Sequence, residues 1–238
     1  MIVAVAGGKG GVGKTTTSWN LGRELDAIVV DADLATADLP PGTGPDLHDV
    51  LAGRVDPVDA VDEIGPVTLL PCGRTLSGAR ASTLESFGPV LERLERTWGC
   101  VVVDCPAGLA RDVGVQLHSA DLVVLVTTPG RPALVDAFRT YGLTEALETP
   151  VGAAVLNVAD RDRHAELADR LGRALGVETT LVERQDALAE AQSRWTPVRD
   201  HDPDAQALEA FESVASRLER SWRRLSGRQF RGPNAMKG

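Results

Sequence analysis

The stretch Gly8-Lys-Gly-Gly-Val-Gly-Lys-Thr15 stands between an apolar run, Ile2–Ala6, and a helical pattern that begins near Lys14. It satisfies GxxxxGK[ST] in the strand–loop–helix setting that gives this motif its meaning. The glycines let the backbone bend so that several N–H groups converge on phosphate oxygens. Lys14 supplies a point charge for β- and γ-phosphates, and the Thr15 hydroxyl is a ligand for Mg²⁺. A helix starting at Lys14 also turns its positive end toward the anion. Gly8, Lys9, Gly10, Gly11, Val12, Gly13, Lys14, Thr15 and Thr16 are therefore the expected phosphate cradle. A glycine-rich turn with an accidental lysine would leave the strand, the helix and Thr15 unexplained.

Outward from this loop, short β-branched runs recur between amphipathic stretches. Ile2–Ala6, Ala27–Asp31, Val67–Leu70, Cys100–Asp104, Leu122–Thr127 and Ala153–Leu156 read as buried strands, with Thr179–Val182 a weaker seventh. Helices are predicted over Lys14–Leu25, Ser82–Trp98, Ala133–Leu147, Arg163–Leu175 and Asp186–Arg194, and a last one from about Asp204 to Leu225, ended by Gly227. This alternation predicts an α/β fold, a mostly parallel twisted sheet with helices on both faces and its site at the carboxyl ends of the strands. One domain is expected over residues 1–225, with 226–238 a short, frayed basic tail. Leu39-Pro-Pro-Gly-Thr-Gly-Pro45 reads as a mobile loop over the site.

The 238 residues carry 25 Lys+Arg against 34 Asp+Glu, a net charge of −9, which disfavours a surface wrapped in nucleic acid. The charge is uneven: residues 217–238 hold seven cations and one anion, leaving the first 216 residues at −15 and the tail at +6. Only three lysines occur, and two of them, Lys9 and Lys14, fall in the phosphate loop. No run is long enough for a membrane span, and the short apolar start lacks the basic leader of a secretion signal. Cys72, Cys100 and Cys105 have no CxxC spacing and read as buried thiols. A cytoplasmic protein is expected, with peripheral attachment to the cytoplasmic face of the membrane as an added possibility raised by the tail.

The second lysine carries a resemblance. Gly8-Lys-Gly-Gly-Val-Gly-Lys-Thr-Thr16 resembles the MinD/ParA family of deviant Walker A ATPases, closest to its MinD-like members, whose signature is KGGxGK[ST]. The resemblance implies a P-loop ATPase that binds and hydrolyses ATP with Mg²⁺, forms an ATP-dependent homodimer and positions a cellular structure. It implies that Lys9 reaches across the dimer to the partner's ATP phosphates. Val29-Val-Asp-Ala-Asp-Leu34 is similar to the family's second-strand motif, with Asp33 orienting water and Asp31 helping to hold the Mg²⁺ shell. Val101-Val-Val-Asp-Cys-Pro-Ala-Gly108 is similar to its Walker B strand and switch, with Asp104 binding Mg²⁺ through water and the Gly108 backbone sensing the γ-phosphate. Asp46-Leu-His-Asp-Val-Leu-Ala-Gly53, Leu69-Leu-Pro-Cys-Gly73 and Thr127-Thr-Pro-Gly-Arg-Pro-Ala-Leu-Val-Asp136 resemble further family segments.

The likeness extends to about residue 200. Asn157 would read adenine by resemblance, or serve as a turn residue. Three departures stand out: Gly130 replaces the usual Glu, Asp38 stands where Asn is common, and the Val182-Glu-Arg-Gln-Asp186 segment, with Glu183 in it, lacks the family's proline.

The tail admits three readings. Leu218, Trp222, Leu225 and Phe230, flanked by arginines, can dock on an anionic membrane. The arginines can instead contact DNA phosphates, as in ParA-like partition ATPases, a reading the acidic body disfavours. Or the stripe completes the core and the arginines are its solvated face. An ATP-dependent synthetase and an iron–sulfur carrier of the same fold are weaker alternatives, and an activator protein is a further possible partner.

Overall fold

A computed structural model describes residues 1–229. Eight strands form one sheet: β1 (Ile2–Ala6), β2 (Ile28–Asp31), β3 (Asp62–Ile64), β4 (Val67–Leu70), β5 (Val101–Asp104), β6 (Leu122–Thr127), β7 (Val151–Ala159) and β8 (Thr179–Glu183). Their spatial order is β3-β4-β2-β5-β1-β6-β7-β8, and every pairing is parallel except β3 with β4. The helices are α1 (Lys14–Glu24), α2 (Leu47–Leu51), α3 (Leu76–Ala81), α4 (Phe87–Trp98), α5 (Arg111–His118), α6 (Arg131–Ala146), α7 (Arg161–Leu175), α8 (Asp186–Ser193), α9 (Val198–His201) and α10 (Ala207–Gln229).

The apolar strands are buried on both faces, and their period of two sorts them into two cores. On β1, Val3 and Val5 pack with Leu21, Phe211 and Val214 of α1 and α10. Ile2, Ala4 and Ala6 pack with Leu47, Leu91, Leu94 and Leu117 of α2, α4 and α5. Because β1 is central, between β5 and β6, the loop that follows it opens at the middle of the sheet's carboxyl edge. Asp31 of β2 and Asp104 of β5 lie side by side in register at that same edge.

The seven expected strands are present, and the sheet has one more. Asp62–Ile64 is three residues long and two-thirds charged, so it carries no apolar alternation; it pairs as an antiparallel edge on β4. The helix predicted over Ser82–Trp98 starts only at Phe87, after a separate 3₁₀ turn over Leu84–Ser86. Pro89 explains this, since a residue without an N–H fits a helix only in its first turn. The segment from Leu39 is not a free flap. Leu39 is buried against Trp19, Val29, Val67 and Leu69, and Thr43 bonds Asp62 through both its N–H and its hydroxyl.

The C-terminal helix continues through Gly227 to Gln229 rather than ending at the glycine. Leu218 is no membrane anchor: it is 0% exposed and packs with Leu122 and Val214 in the core. Trp222 and Leu225 are half-buried against the same core, while Arg220, Arg223 and Arg224 are exposed. Phe230, Arg231, Lys237 and the rest of the tail lie outside the described residues. Among those described, no helix is long and apolar enough to cross a membrane. Leu218→Ala is expected to cost about 2–5 kcal/mol in urea denaturation, the range for truncating a buried leucine. Arg223→Ala is expected to stay within about 0.5 kcal/mol, as surface changes do.

Candidate nucleotide site

The phosphate loop is shaped by close approach. Gly13 has φ 97°, and a Cβ there would collide with the Asn157 side chain. A Cβ on Gly8 would collide with the Asp136 backbone of α6. Only glycine satisfies both demands. Gly13 is also the N-cap of α1; it offers no side-chain cap, and no acidic residue occupies the first turn. The helix therefore begins with free N–H donors and a positive dipole end, an anion site by construction. Lys14 is 8% exposed, held at this helix start, whereas Lys9 is exposed at the tip of the loop. The two lysines thus face different surroundings: one is buried at the helix start and the other is exposed to solvent.

Beside the loop lies a set of hard oxygen donors. Asp104 is buried, 2.8 Å from the Ser18 hydroxyl, whose single proton is shared between this carboxylate and the Lys14 carbonyl at 3.0 Å. Burial pushes the Asp104 carboxyl up to about 6, against the Thr15 and Ser18 hydroxyls and the Lys14 charge, which favour ionisation. Burial pushes Asp31 up to about 7, opposed by the Leu39 N–H and reinforced by the charge of Asp104. Two neighbouring buried carboxylates that resist ionising, next to the Thr15 hydroxyl, suit a hard divalent cation. Among the described residues no three His, Cys, Asp or Glu side chains converge into an all-protein cage. One or two carboxylates together with substrate phosphates suffice for Mg²⁺, so Thr15, Asp31 and Asp104 are the residues that could hold it here.

Two loops frame this set. After β2, the Asp33 carboxylate, half-buried, accepts from the N–H groups of Ala35 and Thr36 at 3.2 and 2.9 Å, closing a tight turn next to Asp31. After β5, Gly108 adopts φ 101°, a conformation open to glycine and costly for other residues. The loops are joined: the buried Gln116 of α5 donates to the Ala32 carbonyl at 2.8 Å. Asp38 is exposed, and its charge is among those that raise Asp104. Gly130 is the N-cap of α6 and supplies no side-chain cap.

Asn157 lines a cavity of about 430 Å³ next to the loop, together with Thr16, Val158, Gln185, Leu188 and Gln192. Its side-chain amide already donates to the Val12 carbonyl at 2.9 Å, so it braces the phosphate loop as well as facing the cavity. Glu183 also lines this cavity and bonds the Arg161 N–H at 3.0 Å. Val158, Leu188 and Gln192 were not among the sequence candidates. Leu188 and Gln192 are an i, i+4 pair on α8, a spacing visible in the sequence. Val158 has φ 53° at a register shift in β7, a strained state for a β-branched residue that nothing local announces.

Burial, with Asp31 and then Asp46 and Asp33 adding to it, pushes the Cys72 thiol far up, so it is a neutral S–H. Cys72, Cys100 and Cys105 are all buried free thiols.

A glycine-bent loop at a helix start, a buried lysine and adjacent strand-end carboxylates define a P-loop nucleotide-binding protein. The chain belongs to the CobQ/CobB/MinD/ParA nucleotide binding domain family, whose model matches residues 3–198. An uncharacterized ATP-binding protein of Methanocaldococcus jannaschii is 31% identical, over 91% of this chain and 86% of its own length. The septum site-determining protein MinD of Bacillus subtilis is 29% identical, covering 91% and 88%. The cell division ATPase MinD of Pyrococcus furiosus has TM-score 0.82 at 26% identity, covering 92% of this chain and 98% of that one.

The brace makes a prediction that separates it from base reading. If Asn157 shapes the loop, Asn157→Ala weakens binding of base-free tripolyphosphate by about fivefold to tenfold, the size of one lost hydrogen bond. Isothermal titration measures it; unchanged tripolyphosphate binding would leave Asn157 a base contact alone.

Proposed function

We propose that this protein is an ATP-hydrolysing switch, monomeric without ATP and a homodimer around two ATP molecules with it, that places a cellular structure. The observation that carries the reading is the division of labour between the lysines, Lys14 buried in its own site and Lys9 exposed on the loop tip. A second observation supports the dimer. Among the described residues, the exposed large apolar side chains are Leu109, Val135, Phe138 and Val158, at 43–47%. They sit on the loop after β5, in the first turns of α6 and at the end of β7, all around the carboxyl edge of the sheet. Exposed apolar surface beside a ligand site is surface that a partner covers.

In this reading the residues act as follows. The N–H groups of the loop and Lys14 bind the β- and γ-phosphates, and Thr15, Asp31 and Asp104 hold Mg²⁺. When bound, Mg²⁺ neutralises charge that builds on the phosphoryl oxygens. Asp33 aligns a water in line with the γ-phosphorus; the new P–O bond forms as the bond to the β–γ bridging oxygen breaks, leaving ADP and phosphate. Lys9 of the opposite subunit stabilises the charge on the transferred group. The Gly108 loop follows the γ-phosphate, so its loss releases the dimer. Thr16, Asn157 and the cavity beside them take the base.

MinD of Aquifex aeolicus is known in complex with MinC, and a MinD of Pyrococcus horikoshii with Mg-ADP, at 24% identity each. A partner protein that responds to the ATP dimer, including an activator, fits the same logic here. The cargo is a division site or a motility or sensory array. Docking to an anionic membrane from the C-terminal helix is assigned to Trp222, Leu225 and the arginines around them, with Leu218 left in the core; DNA is the lesser alternative for this basic end.

Asp33→Ala is expected to bind ATP, stay dimeric and turn over at least tenfold more slowly, the scale of losing a water-positioning group. Lys14→Ala is expected to lose ATP binding. Size-exclusion chromatography with Mg·ATP checks both, and an Asp33→Ala protein that elutes only as monomer would sink the switch.

A further inference from the structure

His48 is 2% exposed, an imidazole deep behind the turn that carries Asp33. Its Nε2 lies 3.2 Å from the Leu34 carbonyl, which can only accept, so Nε2 carries the ring proton. The Cys72 Sγ lies 3.6 Å from the same nitrogen and donates to the Asp33 carbonyl at 3.3 Å. Two consecutive carbonyls of the turn are thus held from behind by two buried donors, while the Asp33 carboxylate closes the turn in front. Behind the turn lies a cavity of about 390 Å³ lined by Leu34, Ala35, His48, Arg74 and Asp112.

The ring is mounted on a fixed support. The Asp46 carboxylate caps α2 through the N–H groups of His48 and Asp49, and the Leu47 N–H bonds the Pro71 carbonyl at 2.9 Å. Leu47 and Leu51 are buried in the core. The space for the ring is also specified. A Cβ on Gly73 or Gly78 would collide with His48 Nδ1, and neither glycine has the positive φ that would explain it by conformation. Both glycines clear room for the imidazole, whose Nδ1 is buried.

We infer that His48 is a positioning residue for ATP hydrolysis: through Leu34, and together with Cys72 on Asp33, it fixes the turn that presents the Asp33 carboxylate to the phosphate site. This rests on the hydrolytic reading above, and it assigns His48 no contact with nucleotide. A residue that only stabilises the fold would, when removed, weaken nucleotide binding and turnover together. A positioning residue splits them.

The test uses the full chain with His48→Leu, His48→Gln and Gly73→Ala. Leucine removes the donor, glutamine offers an N–H of similar reach, and the alanine displaces the ring. His48→Leu is expected to lower kcat about tenfold, the worth of one buried hydrogen bond, with KM and ADP affinity held within about twofold. The amides of Ala35 and Thr36, bonded to Asp33, are expected to exchange hydrogen about tenfold faster. His48→Gln restores both quantities to within about threefold, and Gly73→Ala reproduces the leucine pattern. Wild-type kcat and exchange in His48→Leu would overturn the proposal. So would a parallel loss of ADP affinity and kcat, or no rescue by glutamine. If His48→Leu does not fold, the other two variants decide. If the wild-type protein shows no hydrolysis, the hydrolytic reading falls, and with it the positioning role; exchange at Ala35 and Thr36 then shows whether the latch itself exists.

Discussion

The structure turns on two carboxylates that stand side by side at the ends of adjacent buried strands. Asp31 and Asp104 are in register on β2 and β5, both almost fully buried, and both resist ionisation because their surroundings exclude water. Two such groups gain little from each other, and a cation would favour the ionised form of both. Every element near the site is arranged around that need. The Ser18 hydroxyl of α1 lies 2.8 Å from Asp104, and the Thr15 hydroxyl and the Lys14 charge favour its ionised form. The Leu39 N–H bonds Asp31 at 3.2 Å.

That last bond links Asp31 to the rest of the chain. Leu39 lies in the cluster of Trp19, Val29, Val67 and Leu69, so the loop leaving β2 is fastened at its far end by both a carboxylate and a core. Its near end is tied to α5 by Gln116 on Ala32, and its turn is held by Cys72 and His48. In the proposed reading, a cation at Asp31 would act on a loop that is already restrained at three places. Restraints of this kind favour discrete arrangements over gradual movement, which is what a switch requires.

Much of this was legible in the sequence because it is local. The phosphate loop, the buried strands and the aspartates that end two of them are written in contiguous residues, with a period of two or a fixed motif. What depends on distant pairing was not legible. Asp62–Ile64 has no apolar pattern of its own and becomes a strand because β4 lies next to it. Leu218, Trp222 and Leu225 make the same stripe whether a core or a membrane covers them; Leu218 is covered by the core. Asn157 carried a family-like position but gave no sign of its bond to Val12. His48 sat inside a recognised segment, and only the fold brings Gly73 and Gly78 against its ring.

The central claim is that each site is completed by Lys9 of the other subunit, and mixing two disabled variants tests it most directly. Lys9→Ala lacks the lysine it would lend, and Asp33→Ala lacks the group that aligns water. In a mixed dimer, one site has its own Asp33 and receives Lys9 from the Asp33→Ala subunit. ATP turnover of the equimolar mixture is predicted to rise well above the sum of the two proteins measured alone. A mixture no faster than that sum, or a Lys9→Ala protein that is fully active by itself, would contradict the account.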